Sequence, residues 1–260
     1  MNDRVLHLSG VHNFRDAGGY SIPDGGRMRK GAVWRSGQHH GATDADLEAI
    51  AAIGLTSVFD LRTSKERAMH PCRRPSDFAA RIAFAADPQV RHAPHLAAAQ
   101  TARHRTAQST RESLRLNYSR ICARPELQAM IRGWLDELAS GSGPSLVNCM
   151  AGKDRTGIAV AMLHAALGVH RDDIMADYLL TNSAGDVEAR IASGAETIRA
   201  ITGQLDDAVL RVLMGVEAEY LETAWSAIDE SHGSLDVYLE QVLEVTPQKR
   251  ERLREVLTQH

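Results

Sequence analysis

Apolar residues in this chain form two kinds of pattern, which follow one another along the sequence: short continuous runs and stripes with helical spacing. Residues 55–59 and 145–148 are short runs that predict buried strands, and Asp60 directly follows the first of them. The segment 43–46 resembles a helix N-cap, the apolar residues after it are helically spaced, and Gly54 ends that pattern. This alternation predicts an α/β fold with a central, mostly parallel sheet flanked by helices.

Longer helical stripes dominate the rest of the chain. One begins at Pro125 and includes Trp134, which its position in the stripe places in the core rather than at a ligand. The C-terminal third has five segments with helical patterns: 186–201, 205–214, 218–229, 235–245 and 247–257. Thr246 and Pro247 form a typical start for the last of these helices.

The strongest chemical motif lies in the turn between the strand 145–148 and an apolar helix predicted for 158–167. It reads Cys149-Met150-Ala151-Gly152-Lys153-Asp154-Arg155-Thr156-Gly157. The backbone N–H groups of such a turn converge on a helix N-terminus, where oxyanions bind and a thiolate is favoured. Arg155, six positions after Cys149, can grip two phosphate oxygens with its planar guanidinium group.

The other two cysteines test this interpretation. Six positions after Cys72 and Cys122 stand Phe78 and Gln128, so only Cys149 has the arginine. A free cysteine is usually a small buried hydrophobe, but such a residue needs no glycines or cations around it. The motif therefore predicts a nucleophile in a phosphate cradle.

Composition narrows the function classes. The length of 260 residues and the 43% hydrophobic content fit a single domain spanning 1–260. A net charge of −3 gives no basic field for nucleic acid or an anionic membrane, and the three cysteines give neither a disulfide framework nor a zinc pattern. With no signal core and no long apolar run, we expect a cytoplasmic protein without an integral membrane segment, and the sequence leaves non-classical secretion open.

The motif and several others resemble the Cys-based protein-tyrosine phosphatase superfamily, and most closely its bacterial branch that acts on phosphotyrosine and phosphoinositides. Matching segments run in order along nearly the whole chain: 13–20, 34–37, 59–62, 149–157, 177–182 and 233–239. Two stretches, 71–110 and 183–215, match no motif. The chain also departs from the branch at Asn148, where histidine is usual, and at Met150, where strongly lipid-directed members often have a basic residue.

The resemblance and the chemistry together predict roles for the loop residues. Cys149 attacks phosphorus to form a cysteinyl-phosphate, and Arg155 with the loop amides holds the phosphate oxygens. Thr156 assists the departing thiolate, and Asp60 is the first candidate for the general acid, with Asp154 as the second. The residues expected to contact the substrate phosphate, or inorganic phosphate in the loop, are Met150, Ala151, Gly152, Lys153, Asp154 and Arg155. No metal and no cofactor is expected.

Several alternatives remain open at this stage. The pair 186–214 is either a lid over the site, as the resemblance implies, or an extra packed layer. Residues 86–110 look like a flexible loop, whose histidines at 92, 95 and 104 are spaced too irregularly for a metal site. We expect a phosphatase acting on protein phosphotyrosine, with phosphoinositide or broad specificity as the alternative. A non-catalytic phosphopeptide-binding module and a rhodanese-like sulfurtransferase rank lower.

A buried support network is also expected around the loop. It should include the charged and polar residues of the N-terminal motifs, because buried charges need partners. These residues are Asn13, Arg15, Asp16, Arg35 and Arg62.

Overall fold

The computed structural model describes residues 3–85, 106–188 and 206–259. Its strands are Arg15–Asp16 (β1), Arg27–Met28 (β2), Val33–Ser36 (β3), Ser57–Asp60 (β4), Arg81–Phe84 (β5), Ser145–Asn148 (β6) and Thr258–Gln259 (β7). Its α-helices are Asp44–Ala51 (α1), Ser64–Met69 (α2), Ala107–Ile121 (α3), Pro125–Ser140 (α4), Asp154–Leu167 (α5), Arg171–Leu179 (α6), Thr181–Ala184 (α7), Asp207–Met214 (α8), Ala218–His232 (α9), Leu235–Gln241 (α10) and Pro247–Leu257 (α11).

The central sheet has the strand order β1-β3-β6-β4-β5. Strands β3, β6, β4 and β5 are parallel, and only β1 pairs antiparallel, with β3. In this register Asn148 lies opposite both Ser36 and Asp60, so three strands end at the same edge. Ligands of open α/β sheets bind at this carboxyl edge. The predicted α/β class with a mostly parallel sheet is confirmed.

Side chains of the two central strands alternate between two cores, as the period of a β-strand requires. Val58 and Leu146 pack with α1 on one face. Phe59 and Val147 belong to the larger core on the other face, which includes Trp134 and most of α5. Trp134 is fully buried, as its position in the stripe predicted.

The helix boundaries show where the periodicity was incomplete. Helix α5 begins at Asp154 and therefore takes in part of the motif, four residues before the apolar stripe predicted. Helix α10 ends at Gln241 rather than at residue 245, and Glu244 has a left-handed backbone conformation with a φ of 55°, which a helix cannot contain. Helix α3 was not predicted, because its buried face is narrow: only Thr110, Tyr118 and Ile121 of its fifteen residues are buried, and the first of these is polar.

The two stretches without a motif lie partly outside the described residues. Of the loop expected over 86–110, residues 86–105 are outside, including the three histidines, and residues 107–110 open α3 instead. The helix predicted over 186–201 is mostly outside, as is the middle of the lid segment 183–215. Its end is helical, because α8 covers Asp207–Met214.

Candidate active site

The loop from Cys149 to Lys153 joins β6 to α5 at the carboxyl edge of the sheet. Its position places the first turn of α5, with its unpaired N–H groups and positive dipole end, against the loop. Cys149 is only 2% exposed. The local fold therefore has the strand, turn and helix that the motif predicted.

Carbonyl groups of this loop accept hydrogen bonds from residues that lie outside the loop. The backbone N–H of Gln38 donates to the Met150 carbonyl at 3.1 Å. Asn13 Nδ2 and Arg35 Nη2 donate to the Gly152 carbonyl at 2.7 and 3.0 Å. Because the N–H of a trans peptide points opposite to its C=O, the amides of these units turn to the inner side of the loop. An inward set of amides is the arrangement that binds an oxyanion.

Gly152 is required for this turn. Its φ is +67°, a backbone conformation that residues with a side chain rarely adopt. A Cβ atom there would also lie 2.5 Å from the Ser36 carbonyl carbon, which is backbone and cannot give way. The loop thus packs directly on the end of β3.

Buried arginines support the loop through Asp177 on α6. Arg35 donates to Asp177 Oδ2, and Arg15 Nε lies 3.6 Å from Asp177 Oδ1. Burial alone would raise the pKa of Asp177, but Arg15 and Arg35 outweigh it and hold that pKa below its ordinary value. Since Arg35 also binds the Gly152 carbonyl, this cluster connects α6 to the outer side of the cradle.

The expected support network therefore divides. Asn13, Arg15 and Arg35 do gather beneath the loop, with Asn13 Oδ1 accepting from Arg15. Asp16 instead accepts from the backbone N–H groups of Gly18 and Gly31, and so closes a turn. Arg62 lies in a separate cluster.

Arg155 is oriented by Glu66, a residue for which the sequence predicted no role in the site. Arg155 Nη1 donates to Glu66 Oε2 at 2.7 Å and to the Leu61 carbonyl at 2.9 Å, and Nη2 donates to Glu66 Oε1 at 2.8 Å. Burial would lower the pKa of Arg155, but the hydrogen bonds to Glu66 raise it above its ordinary value, so the guanidinium stays charged. Three of its five donors are used.

The Nε–H and the second Nη2–H of Arg155 make no bond to any described residue. They lie on one edge of the planar guanidinium, the edge that can bind two oxygens of a phosphate. The signal for Glu66 was the sequence Thr63-x-x-Glu66, which is a helix capping box and is observed as one at α2. Nothing in that pattern indicates a contact 89 residues away along the chain.

Asp60 has its carboxylate fully engaged. Arg62 Nε donates to Oδ1 at 2.8 Å and Arg62 Nη2 to Oδ2 at 2.7 Å. Asn148 Nδ2 adds a longer contact of 3.4 Å to Oδ1. The side chain of Asp60 is only 4% exposed. From the end of β4 it therefore binds Arg62, two residues further along, and contacts Asn148 at the end of β6.

Asp154, at the first position of α5, is more accessible. Its side chain is 26% exposed, and Oδ1 accepts a hydrogen bond from the hydroxyl of Tyr118 at 2.7 Å. Lys153 Nζ lies 3.8 Å from the same oxygen. No hydrogen bond from the described part of the chain engages Oδ2. One carboxylate oxygen is therefore held while the other has no partner in residues 3–85, 106–188 or 206–259.

Thr156 and Lys153 differ in how their polar groups are used. The Thr156 hydroxyl is buried and has no hydrogen-bond partner in the described regions. Lys153 is buried as well, and its Nζ donates to the carbonyls of Leu213 and Gly215 at 2.6 and 3.1 Å. The lysine thus fixes the end of α8 beside the loop. Met150 and Ala151 are half-buried.

The sequence that builds this geometry is shared with known proteins. The profile of the family described as "Tyrosine phosphatase family" matches residues 6–259. The chain belongs to the tyrosine phosphatase family. The Cys-dependent phosphatase class inferred from the loop motif is confirmed by that match.

Individual relatives of this phosphatase cover most of the chain. A protein of Cupriavidus necator named as a putative tyrosine-protein phosphatase is 33% identical over 243 residues, covering 92% of this chain and 84% of its own. The triple specificity protein phosphatase PtpB of Mycobacterium tuberculosis is 33% identical over 264 residues, covering 90% and 92%. The crystal structure of P. aeruginosa TpbA aligns at 17% identity over 73% of this chain and 89% of its own, with a TM-score of 0.31.

Membrane spans and metal clusters are both missing from the described residues. No helix there has both the length and the apolar content that a membrane crossing requires. No group of three or more His, Cys, Asp or Glu side chains there could hold a metal ion.

Proposed function

We propose that this phosphatase acts through Cys149, Arg155 and Asp154 in two steps. In the first, Cys149 Sγ attacks phosphorus, the bond to the leaving oxygen breaks, and Asp154 gives that oxygen its proton. In the second, water attacks the cysteinyl-phosphate while the Asp154 carboxylate accepts its proton, and the S–P bond breaks to release phosphate and the thiolate. The observation that carries the proposal is the Arg155 guanidinium, locked by Glu66 with one edge open.

The backbone and two side chains stabilise the charge that develops in these steps. The inner amides of the loop and the open edge of Arg155 hold the equatorial phosphate oxygens, which is electrostatic stabilisation of the transition state. The buried Thr156 hydroxyl, whose oxygen has no described partner, is available to donate to the departing thiolate. Lys153 takes a different part from the phosphate contact expected for it, since it binds two carbonyls at the end of α8.

We assign the general acid to Asp154 rather than to Asp60, the first candidate from the sequence. A general acid must carry a proton and reach the leaving group. Both oxygens of Asp60 already accept hydrogen bonds from Arg62, so neither is free to face a leaving group. Asp154 is partly exposed and has Oδ2 without a described partner.

For the substrate we propose protein phosphotyrosine, with phosphoinositides as the alternative. Membership in the tyrosine phosphatase family supports the first, and the name of the relative PtpB, a triple specificity phosphatase, leaves room for wider use. Met150 is uncharged, so it offers no positive charge that would bind a second phosphate group of a phosphoinositide. A thiolate nucleophile needs a reducing environment, so the proposal keeps the cytoplasmic location expected from the sequence.

A substrate panel tests the proposal. The purified protein should hydrolyse phosphotyrosine peptides faster than phosphoserine or phosphothreonine peptides and phosphoinositide vesicles, with the same rates in EDTA. Cys149→Ser should abolish turnover but still bind inorganic phosphate, because the amides and Arg155 remain. Sulfur transfer from thiosulfate without phosphatase activity, or activity that EDTA removes and a divalent metal restores, would contradict the proposal.

A further inference from the structure

Three polar groups form a chain that ends at Asp154. The Tyr178 hydroxyl on α6 donates to the Tyr118 hydroxyl at 2.7 Å, and the Tyr118 hydroxyl donates to Asp154 Oδ1 at 2.7 Å. These groups come from α6, α3 and the first residue of α5. This series of hydrogen bonds therefore runs from the protein interior to Asp154, the candidate acid and the one partly exposed residue of the three.

The tyrosine rings cannot turn away from this arrangement. Tyr118 is fully buried, its ring stacks on Tyr220 at 5.4 Å and 29°, and its edge meets Tyr178 at 6.3 Å and 78°. Burial, and then the charge of Asp154, raise the pKa values of Tyr118 and Tyr178 well above the ordinary value of a phenol. Both hydroxyls thus remain protonated donors.

We propose that Tyr118, itself oriented by Tyr178, is a positioning residue for the proton donor Asp154. Because Oδ1 accepts the Tyr118 hydrogen, the proton that Asp154 transfers is confined to Oδ2. A carboxyl group at a partly exposed helix start would otherwise rotate about its side-chain bonds, and it would present its proton to the leaving oxygen for a smaller fraction of the time. This inference rests on the proposed function, in which Asp154 is the acid.

Tyr220 allows the positioning role of the Tyr118 hydroxyl to be distinguished from the packing of its ring. Its ring stacks on Tyr118, yet its buried hydroxyl has no hydrogen-bond partner in the described parts of the chain. The cluster therefore uses the ring of Tyr220 and the hydroxyls of Tyr118 and Tyr178. Removing each hydroxyl in turn tests what it contributes, since phenylalanine keeps the ring.

The experiment measures kcat/KM for a series of aryl phosphates whose leaving groups range from activated phenols to tyrosine itself. This constant reports the steps up to departure of the leaving group, where the acid acts. Tyr118→Phe should slow phosphotyrosine by roughly tenfold or more, a part of the ~10²–10⁴ that a general acid contributes, and barely change the most activated ester. Tyr178→Phe should have the same pattern with a smaller effect, and Tyr220→Phe should have none.

Two controls separate positioning from general damage. The inhibition constant for inorganic phosphate should be unchanged in Tyr118→Phe, since the cradle is untouched. Tyr238→Phe removes another buried tyrosine hydroxyl, one that donates to the Cys122 carbonyl at 2.8 Å, and should leave the leaving-group dependence as in the wild type. Thermal unfolding of each variant shows whether it is folded.

The leaving-group series distinguishes failure of this inference from failure of the proposed function. If Asp154→Asn steepens the leaving-group dependence and Tyr118→Phe does not, Tyr118 has no positioning role, while the proposed function stands. A uniform slowing of all esters in Tyr118→Phe would likewise exclude a positioning role. If Asp154→Asn itself leaves the dependence unchanged, the assignment of the acid is wrong, and this inference falls with it.

Discussion

Glu66 has two roles at the scale of a single side chain. It closes the capping box of α2 with Thr63, and it binds both terminal nitrogens of Arg155. Glutamine can fill the same place in a capping box, so Glu66→Gln keeps the helix and removes the charge that fixes the guanidinium. We expect kcat/KM for phosphotyrosine to fall roughly tenfold to a hundredfold, the cost of a small misplacement of a catalytic group.

A second capping box provides the matched control. Asp46 closes the box of α1 with Thr43, and its carboxylate also accepts from the backbone N–H groups of Ser9 and Gly10, away from the loop. Asp46→Asn should therefore change stability but not kcat/KM, and steady-state kinetics on both variants tests the distinction. Equal losses of activity in the two variants would mean that Glu66 acts only through its helix.

Arg155 itself should tolerate no cationic substitute. A lysine ammonium is a point charge that cannot bind Glu66 with two nitrogens and a phosphate with a second edge. Arg155→Lys should lower kcat/KM by roughly a hundredfold or more, comparable to the loss of one oxyanion-hole donor. Wild-type rates in this variant, measured with an activated aryl phosphate, would show that the two-pronged contact is not used.

The two aspartates should also separate at the residue scale. Asp60→Asn removes the partner of Arg62 at the end of β4, so it should slow activated and unactivated esters by a similar factor. Asp154→Asn should slow phosphotyrosine by about 10²–10⁴ and activated esters far less in kcat/KM. The reverse pattern, in which Asp60→Asn slows mainly the esters with poor leaving groups, would show that Asp60 is the general acid.

At the scale of elements, helix α6 supports the site from behind. Asp177 binds Arg35 and Arg15 under the cradle, and the next residue, Tyr178, reaches Asp154 through Tyr118. One turn of helix thus orients both the phosphate cradle and the candidate acid. These contacts give a physical reason for part of the segment 177–182, which resembled the family only as a sequence motif.

Loss of the Asp177 charge should destabilise the fold in a pH-dependent way. Asp177→Asn leaves buried arginines unpaired, and it should cost about 3–5 kcal/mol of unfolding free energy at pH 7. The lowered pKa of Asp177 means that its stabilisation is present above the ordinary aspartate pKa and is lost as the pH falls below it. The difference in unfolding free energy between the wild type and Asp177→Asn should therefore be about 1 kcal/mol smaller at pH 3 than at pH 7.

Urea unfolding of both proteins at pH 7, 5 and 3 measures this gap. It should be constant between pH 7 and 5 and smaller at pH 3. A gap that widens toward low pH would mean that Asp177 is not held ionised by its arginines.

For the whole molecule, the sequence predicted the parts that depend on local patterns. Strand runs placed Asp60 and Cys149 at the ends of β4 and β6, and these strands are neighbours with Asp60 opposite Asn148. The ranking of Asp60 above Asp154 as the general acid could not take account of which carboxylate is already paired, because those contacts depend on the fold. Tyr118, whose hydroxyl contacts Asp154, was missed because the buried face of α3 is narrow and partly polar.

The central claim is that Cys149 carries the phosphoryl group during turnover. Asp154→Asn should accumulate this intermediate with an activated aryl phosphate, because the first step needs little help from an acid while the second lacks its base. A denaturing quench during turnover, followed by peptide mass spectrometry, should find one phosphate on Cys149 in most molecules. Phosphate on another residue, or continued turnover by Cys149→Ser, would contradict the account.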